Sequence, residues 1–264
     1  MLKYFRKAKQ LKTYEFNKRN INLFGNILIN RFSKTRMIFP PHRIDLEPTT
    51  RCNLNCFFCQ VPGWNRSLIK DLSIVDFKSI INKFPSLKSV KLQGMGEPFL
   101  NTEILEMIDF CNQKGIYSTI YNNGTVLNEV IIKELFKSPP SFLVFSLDTP
   151  GREAYKVIRG KDMFEKVIEN IKLTVFERNK IGSATEINIW CVLNKYNIMD
   201  VSNLVGLAKE LGVDNVGIQT KLTCFGKAEL KKKNDCIEIS IFDQEIMEYL
   251  DKAVELAKNI NQNI

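Results

Sequence analysis

The sequence predicts an α/β fold: an open barrel of six strand–helix units behind a basic N-terminal extension. Three observations lead there. Short β-branched or aromatic runs alternate six times with helical runs that carry capping signals, an order that calls for a parallel sheet covered by helices. The 264 residues, 44% of them hydrophobic, suffice for one sizeable core. Eight such units close a full barrel of about 250 residues. Behind a head spanning residues 1–40 about six fit, so the expected form is a partial, TIM-like (β/α)6 barrel whose functional face lies at the C-terminal ends of the strands.

The elements follow in order. Phe39-Pro40-Pro41 ends any helix in the head. The first strand reads Arg43–Glu47, with alternating apolar residues. After a loop, Ser73 with Asp76 three residues later caps a helix through Ile74, Phe77, Ile80 and Ile81. The second strand is Ser89–Gln93; its helix places Ile104, Ile108 and Cys111 on one face and stops at Gly115. The third strand, Ile116–Tyr121, closes on the turn Asn122-Asn123-Gly124, and a helix is expected from about Asn128 to Ser138. The fourth strand, Phe142–Leu147, is apolar enough for burial on both faces. Asp162 and Glu165 read as a cap for a helix through Phe164, Val167, Ile168 and Ile171. The fifth strand is Glu186–Leu193, its helix runs from near Asp200 to Gly212, and the sixth strand is Asn215–Gln219. A last helix carries Ile246, Leu250, Val254 and Ala257. The expected organisation is an extension over 1–40, helical and basic, a barrel over 41–222, and a linker with a helix over 223–264.

Charge is uneven. Residues 1–43 hold 11 Lys/Arg against the single acid Glu15, while the rest of the chain is close to neutral. Such a head suits nucleic acid, an anionic membrane surface or an acidic partner; the plainer reading is a solvated amphipathic helix beside the barrel, so nucleic acid is not an expected partner. No run of about 18 apolar residues predicts a transmembrane helix. The apolar stretch Ile21–Ile29 is broken by Asn22, Gly25 and Asn26 and lacks a cleavage pattern, so the expected compartment is the cytoplasm. In that compartment disulfides are not expected, and clustered cysteines read first as metal ligands.

Three of the seven cysteines are clustered. Cys52-Asn-Leu-Asn-Cys56-Phe-Phe-Cys59 puts three thiols on the loop after the first strand. Cys thiolates hold iron–sulfur clusters, and a closed [4Fe–4S] site needs four; three leave one iron open to a small molecule. A zinc site would pair two Cys-x2-Cys knuckles or add histidine, and the chain has one His, His42, and no second knuckle nearby. Cys111 and Cys191 read as small core residues.

The C-x3-C-x2-C spacing with aromatic Phe58 before the last Cys resembles the motif of the radical S-adenosylmethionine (SAM) superfamily. The resemblance implies a [4Fe–4S] cluster on Cys52, Cys56 and Cys59, with SAM chelated at the open iron and cleaved by one electron to a 5′-deoxyadenosyl radical that abstracts hydrogen from substrate. The cofactor supplies the hard chemistry and the protein positions it. Phe58 is then expected beside the adenine. The second strand ends in Gln93-Gly94-Met95-Gly96-Glu97-Pro98, similar to the family's Gly-Gly-Glu-Pro stretch with Met95 in place of the first glycine; in the family it recognises the amino group of SAM. Glycines also let backbone approach a ligand closely. Ser146 and Asp148, after the fourth strand, match positions that contact ribose or carboxylate in similar proteins, although Asp148 equally suits the turn Thr149-Pro150-Gly151. Arg159 resembles the arginine that many relatives place before a later helix, a guanidinium suited to the SAM carboxylate. Asn123, Asn194 and Gln219 end strands and are expected SAM or substrate contacts.

The resemblance covers roughly residues 41–220 and is closest to the branch with a Cys-rich C-terminal SPASM domain. Only Cys224 and Cys236 follow the sixth strand, so no complete auxiliary cluster is expected. The implied partners are SAM, a one-electron donor such as flavodoxin or ferredoxin, and a peptide, cofactor-precursor or metabolite substrate. RNA modification through the basic head and a non-catalytic iron–sulfur redox protein are the alternatives.

Overall fold

The structure, a computed structural model, describes residues 40–222 and 228–264. The basic head and Cys224 lie outside the described residues. Six parallel strands form one sheet in sequential order: β1 (Arg43–Leu46), β2 (Ser89–Leu92), β3 (Tyr117–Asn122), β4 (Phe142–Ser146), β5 (Glu186–Val192) and β6 (Asn215–Gln219). The sheet does not close, which is the expected partial barrel.

The helices are α1 (Ile74–Asn82), α2 (Ile104–Gln113), α3 (Glu129–Leu135), α4 (Arg152–Arg159), α5 (Phe164–Ile181), α6 (Val201–Leu211), α7 (Ala228–Ile237) and α8 (Gln244–Asn259). The core lies between them and the sheet. Strand alternation decides which side chains enter it. Val90 and Leu92 of β2, Ile120 of β3 and Ile187, Ile189 and Cys191 of β5 are buried, while their alternates Lys91, Thr119, Tyr121, Asn188 and Trp190 are half-buried. On that second face the Lys91 ammonium lies 4.2 Å from the Tyr121 ring centre, and Trp190 meets the same ring edge-on at 5.8 Å. In β4 consecutive residues Leu143, Val144 and Phe145 are buried, as an apolar strand covered on both faces requires.

Local signals account for several helix ends. Ser73 Oγ accepts from Asp76 N at 3.1 Å and opens α1; Asn128 Oδ1 accepts from Ile131 N at 3.0 Å and opens α3. Gly182 and Gly212, with φ of 65° and 71°, close α5 and α6. Other ends depart from expectation. Asp162 does not cap α5; its carboxylate takes a bidentate grip from Arg152 on α4 instead. α3 ends at Leu135, short of Ser138. The sequence carries no clear sign of α4 and α7: half of α4, Arg-Glu-Ala-Tyr-Lys-Val-Ile-Arg, is charged, and α7 carries three consecutive lysines. α8 packs on α6, burying Ala253 and Ala257, and Gln262 donates to the carbonyls of Val213 and Asp214. The C-terminal residues are therefore built into the barrel body at β6.

Candidate active site

The loop after β1 carries the three clustered thiols and is held from three sides. From the C-terminal end of α4, the carbonyls of Ile158 and Arg159 accept Phe57 N at 2.9 Å and Asn55 N at 3.2 Å. Gly160, which ends α4 at φ 71°, has the carbonyl of Asn55 where a Cβ would stand, so only glycine lets helix and loop meet here. From β3, Asn123 Nδ2 reaches Asn53 Oδ1 at 3.0 Å and stands 4.0 Å from Cys52 Sγ, while Asn53 Nδ2 donates to Thr125 Oγ1 at 2.7 Å. From β2, the carbonyl of Arg51 accepts Glu97 N at 2.7 Å. Leu54, 6% exposed, anchors the loop in the interior.

The strip Gly94-Met95-Gly96-Glu97 packs against this loop. Glu47 Oε1 accepts from the backbone N–H of Met95, and from that of Gly96 at 3.4 Å. A Cβ on Gly94 would overlap the Glu47 side chain, and one on Gly96 would meet the carbonyls of Thr49 and Arg51. These glycines thus admit the chain's own first strand and loop. Glu97 is 2% exposed, and its two oxygens accept from Phe99 N at 3.1 Å and Asn123 N at 2.6 Å. It ties β2 to β3. Burial pushes its carboxyl up to about 7, against the pull of those N–H groups and of Arg159. Glu47, Asn53 and Thr125 escaped the sequence reading: Glu47 looks like one more residue of an alternating strand, and Asn53 and Thr125 like loop filler.

Asp148 and Arg159 form a buried ion pair, Nη2 to Oδ2 2.6 Å. Asp148 Oδ1 also accepts from Val192 N at 2.9 Å, and the Arg159 Nη1 stands 4.0 Å from Cys56 Sγ. Burial holds all three thiols above their ordinary range. The N–H groups of Leu54 at Cys52 and of Val61 and Gln60 at Cys59 pull the other way, and the Arg159 charge does so at all three.

The remaining residues lie apart from the thiols' hydrogen bonds. Phe58 offers its carbonyl to Asn234 Nδ2 of α7 at 3.5 Å, and its neighbour Phe57 carries Lys233 Nζ 3.7 Å above its ring. Ser146 ends β4 half-buried, paired in register with Trp190. Asn194 is fully buried in its own turn: its Oδ1 accepts from Tyr196 N at 2.9 Å and its Nδ2 donates to Val192 O at 3.2 Å. Gln219 folds back on the carbonyl of Lys221 at 2.6 Å. Cys111 and Cys191 are wholly buried in the core, and burial raises both thiols, Cys111 to about 12.

Among the described residues, no three His, Cys, Asp or Glu groups gather closely enough to share one metal ion. A four-iron cluster makes a different demand, since each thiolate binds its own iron. Three thiols on one loop, N–H groups aimed at two of them and a buried guanidinium beside the third form a donor set that fits such a cluster.

The architecture and the loop define a partial-barrel protein with a thiolate site at the C-terminal ends of its strands. Residues 46–194 match the model of the radical SAM superfamily. The chain belongs to this superfamily of enzymes. It is 30% identical over 173 residues to a tungsten-containing aldehyde ferredoxin oxidoreductase cofactor-modifying protein of Pyrococcus furiosus, covering 64% of this chain and 48% of that one. It is 28% identical over 239 residues to a probable GTP 3′,8-cyclase of Saccharolobus islandicus, covering 89% and 71%. The chain spans about half the length of some curated relatives, 44% and 48% in two of them. SuiB of Streptococcus suis shares the fold with a TM-score of 0.66 at 21% identity, covering 99% of this chain and 58% of that one; another structure of that protein holds S-adenosylmethionine. Among the described residues no helix is long and apolar enough to cross a membrane.

Proposed function

We propose that Cys52, Cys56 and Cys59 hold a [4Fe–4S] cluster, and that the enzyme cleaves SAM there to abstract hydrogen from a cofactor precursor, peptide or other small metabolite. The observation that carries this reading is the Cys loop itself, fastened by backbone bonds to α4 and to the strip after β2 and by the Asn123–Asn53 side-chain bond from the end of β3, with the Cys56 thiol beside Arg159. SAM on the cluster supplies the 5′-deoxyadenosyl radical; the chain's own residues orient and shield. Glu47 and Glu97 hold the Gly94–Glu97 strip, whose backbone is proposed to receive the amino group of SAM. Phe58, Ser146 and Asn123 are proposed to border the adenosyl and methionyl parts. The cofactor-precursor class is favoured by the name of the Pyrococcus relative, a cofactor-modifying protein. An electron donor of the flavodoxin or ferredoxin kind is part of the same proposal.

Anaerobic reconstitution is expected to give a brown protein that releases 5′-deoxyadenosine when reduced in the presence of SAM. Cys52→Ala, Cys56→Ala and Cys59→Ala should each abolish release and lower bound iron. An intact cluster without deoxyadenosine release overturns the assignment.

A further inference from the structure

We propose that the buried Arg159–Asp148 ion pair governs the charge felt by the Cys56 sulfur, and so sets the reduction potential of the cluster held by this loop. The inference rests on the function proposed above and adds a role for two residues that sequence comparison links only to SAM contacts.

The placement carries it. The Cys loop is docked on the C-terminal end of α4, whose carbonyls at 158 and 159 face the loop. A helix C-terminus presents partial negative charge, which by itself disfavours thiolates and disfavours adding an electron nearby. Arg159 sits on the last turn of that helix and opposes that partial charge. Its Nη1 stands 4.0 Å from Cys56 Sγ. Asp148 at 2.6 Å tempers it from the other side. The two side chains are 8% and 1% exposed, so little water screens them. Stability alone is a weak reason for such a pair, because apolar replacements of buried ion pairs are often neutral or stabilising. A pair tuned to a neighbouring charge has a use: one electron from a low-potential donor adds one negative charge to the cluster, no bond to these residues changes, and the local field decides how favourable that addition is.

The two single substitutions should therefore act in opposite directions. In the reconstituted full chain without SAM, titrated with redox mediators and followed by electron paramagnetic resonance, Asp148→Asn should raise the potential and Arg159→Gln should lower it. Each shift is expected to be at least tenfold in the reduction equilibrium, 59 mV for one electron. Arg159→Lys keeps the charge and should stay within about threefold of the parent. Shifts of the same sign, or Asp148→Asn within threefold of the parent at full iron and sulfide content, overturn the proposal. Should Arg159→Gln not load a cluster, the direction of the Asp148→Asn shift decides alone: upward supports, unchanged or downward overturns. A parent chain that binds no cluster refutes the proposed function instead.

Discussion

The strand ends of β1–β4 and those of β5–β6 are built on different principles. On the first side, side chains reach across to other elements: Glu47 to the backbone of Met95, Glu97 to Asn123, Asn123 to Asn53, and Arg159 to Asp148 and Cys56. On the second side, side chains close on their own turns: Asn194 on Val192 and Tyr196, Gln219 on Lys221. The first arrangement fixes one loop from several strands at once, which is what a cluster ligand set needs. The second turns these two side chains in on their own loops, although β5 stays tied to β4 through Val192 N on Asp148, and its loop meets the Cys loop where the Tyr196 and Phe57 rings stand 5.8 Å apart. The β1–β4 half is the more heavily cross-linked of the two.

The largest test of this contrast is steric. In Gly96→Ala the new Cβ meets two backbone carbonyls, of Thr49 and Arg51, neither of which can swing aside. Overpacking of this kind costs about 3 kcal/mol, and here it pushes on the Cys loop directly. The expected outcome is a lower unfolding midpoint and poor iron loading. Gly94→Ala meets the Glu47 side chain first, which can turn away by giving up its bond to Met95 N, so its cost should be smaller, about 1–2 kcal/mol. Equal penalties in denaturant unfolding would show that the Cys loop is not held by backbone contact.

The contrast also separates what was legible in the sequence from what was not. Strands and core helices follow from period-2 and period-3.6 patterns, and Ser73, Asn128 and Gly212 act at helix ends as their chemistry dictates. The thiol loop is legible because ligand spacing is local. Its supports are not, because they join residues far apart in the chain: Asn53 with Thr125, Glu47 with Met95, Asn55 with Arg159. A Glu that accepts two backbone N–H groups looks, in sequence, like a Glu that awaits a ligand; Glu97 is such a case. Asp162 misled for a related reason, since a nearby Arg152 outcompeted the helix N-terminus for its carboxylate.

Glu97 gives the next effect in size, read as pH dependence in the cluster-free protein. Its carboxyl in the folded chain is pushed up to about 7 from 4.5. The folded state therefore binds a proton more readily than the unfolded state. Its stabilising contribution is complete below about pH 4.5 and is lost as pH rises through about 7, amounting to roughly 3 kcal/mol. Glu97→Gln stays neutral throughout, with its oxygen left to accept one of the two N–H groups. Urea unfolding of the parent should lose stability relative to Glu97→Gln between pH 4.5 and 8. A difference that is flat or opposite in sign would mean that Glu97 is ionised at no cost in the fold, and the cross-linked half would then be less dry than its burial implies.

The smallest effects belong to β5–β6 and test whether that half stands outside SAM recognition. Asn194→Ala removes two buried side-chain hydrogen bonds and should cost about 1–2 kcal/mol of stability. Gln219→Ala removes one bond to the carbonyl of Lys221 at a partly exposed strand end and should fall within about 0.5 kcal/mol of the parent. Asn194 uses both of its side-chain polar atoms within its own turn, and Gln219 commits its Nε2 to the carbonyl of Lys221. Calorimetric SAM affinity of the reconstituted protein is therefore expected to be unchanged in Gln219→Ala, and in Asn194→Ala once folding is corrected for. A tenfold loss of affinity in either variant would place a SAM contact in the β5–β6 half, and the division of labour between the two sides of the barrel would have to move by two strands.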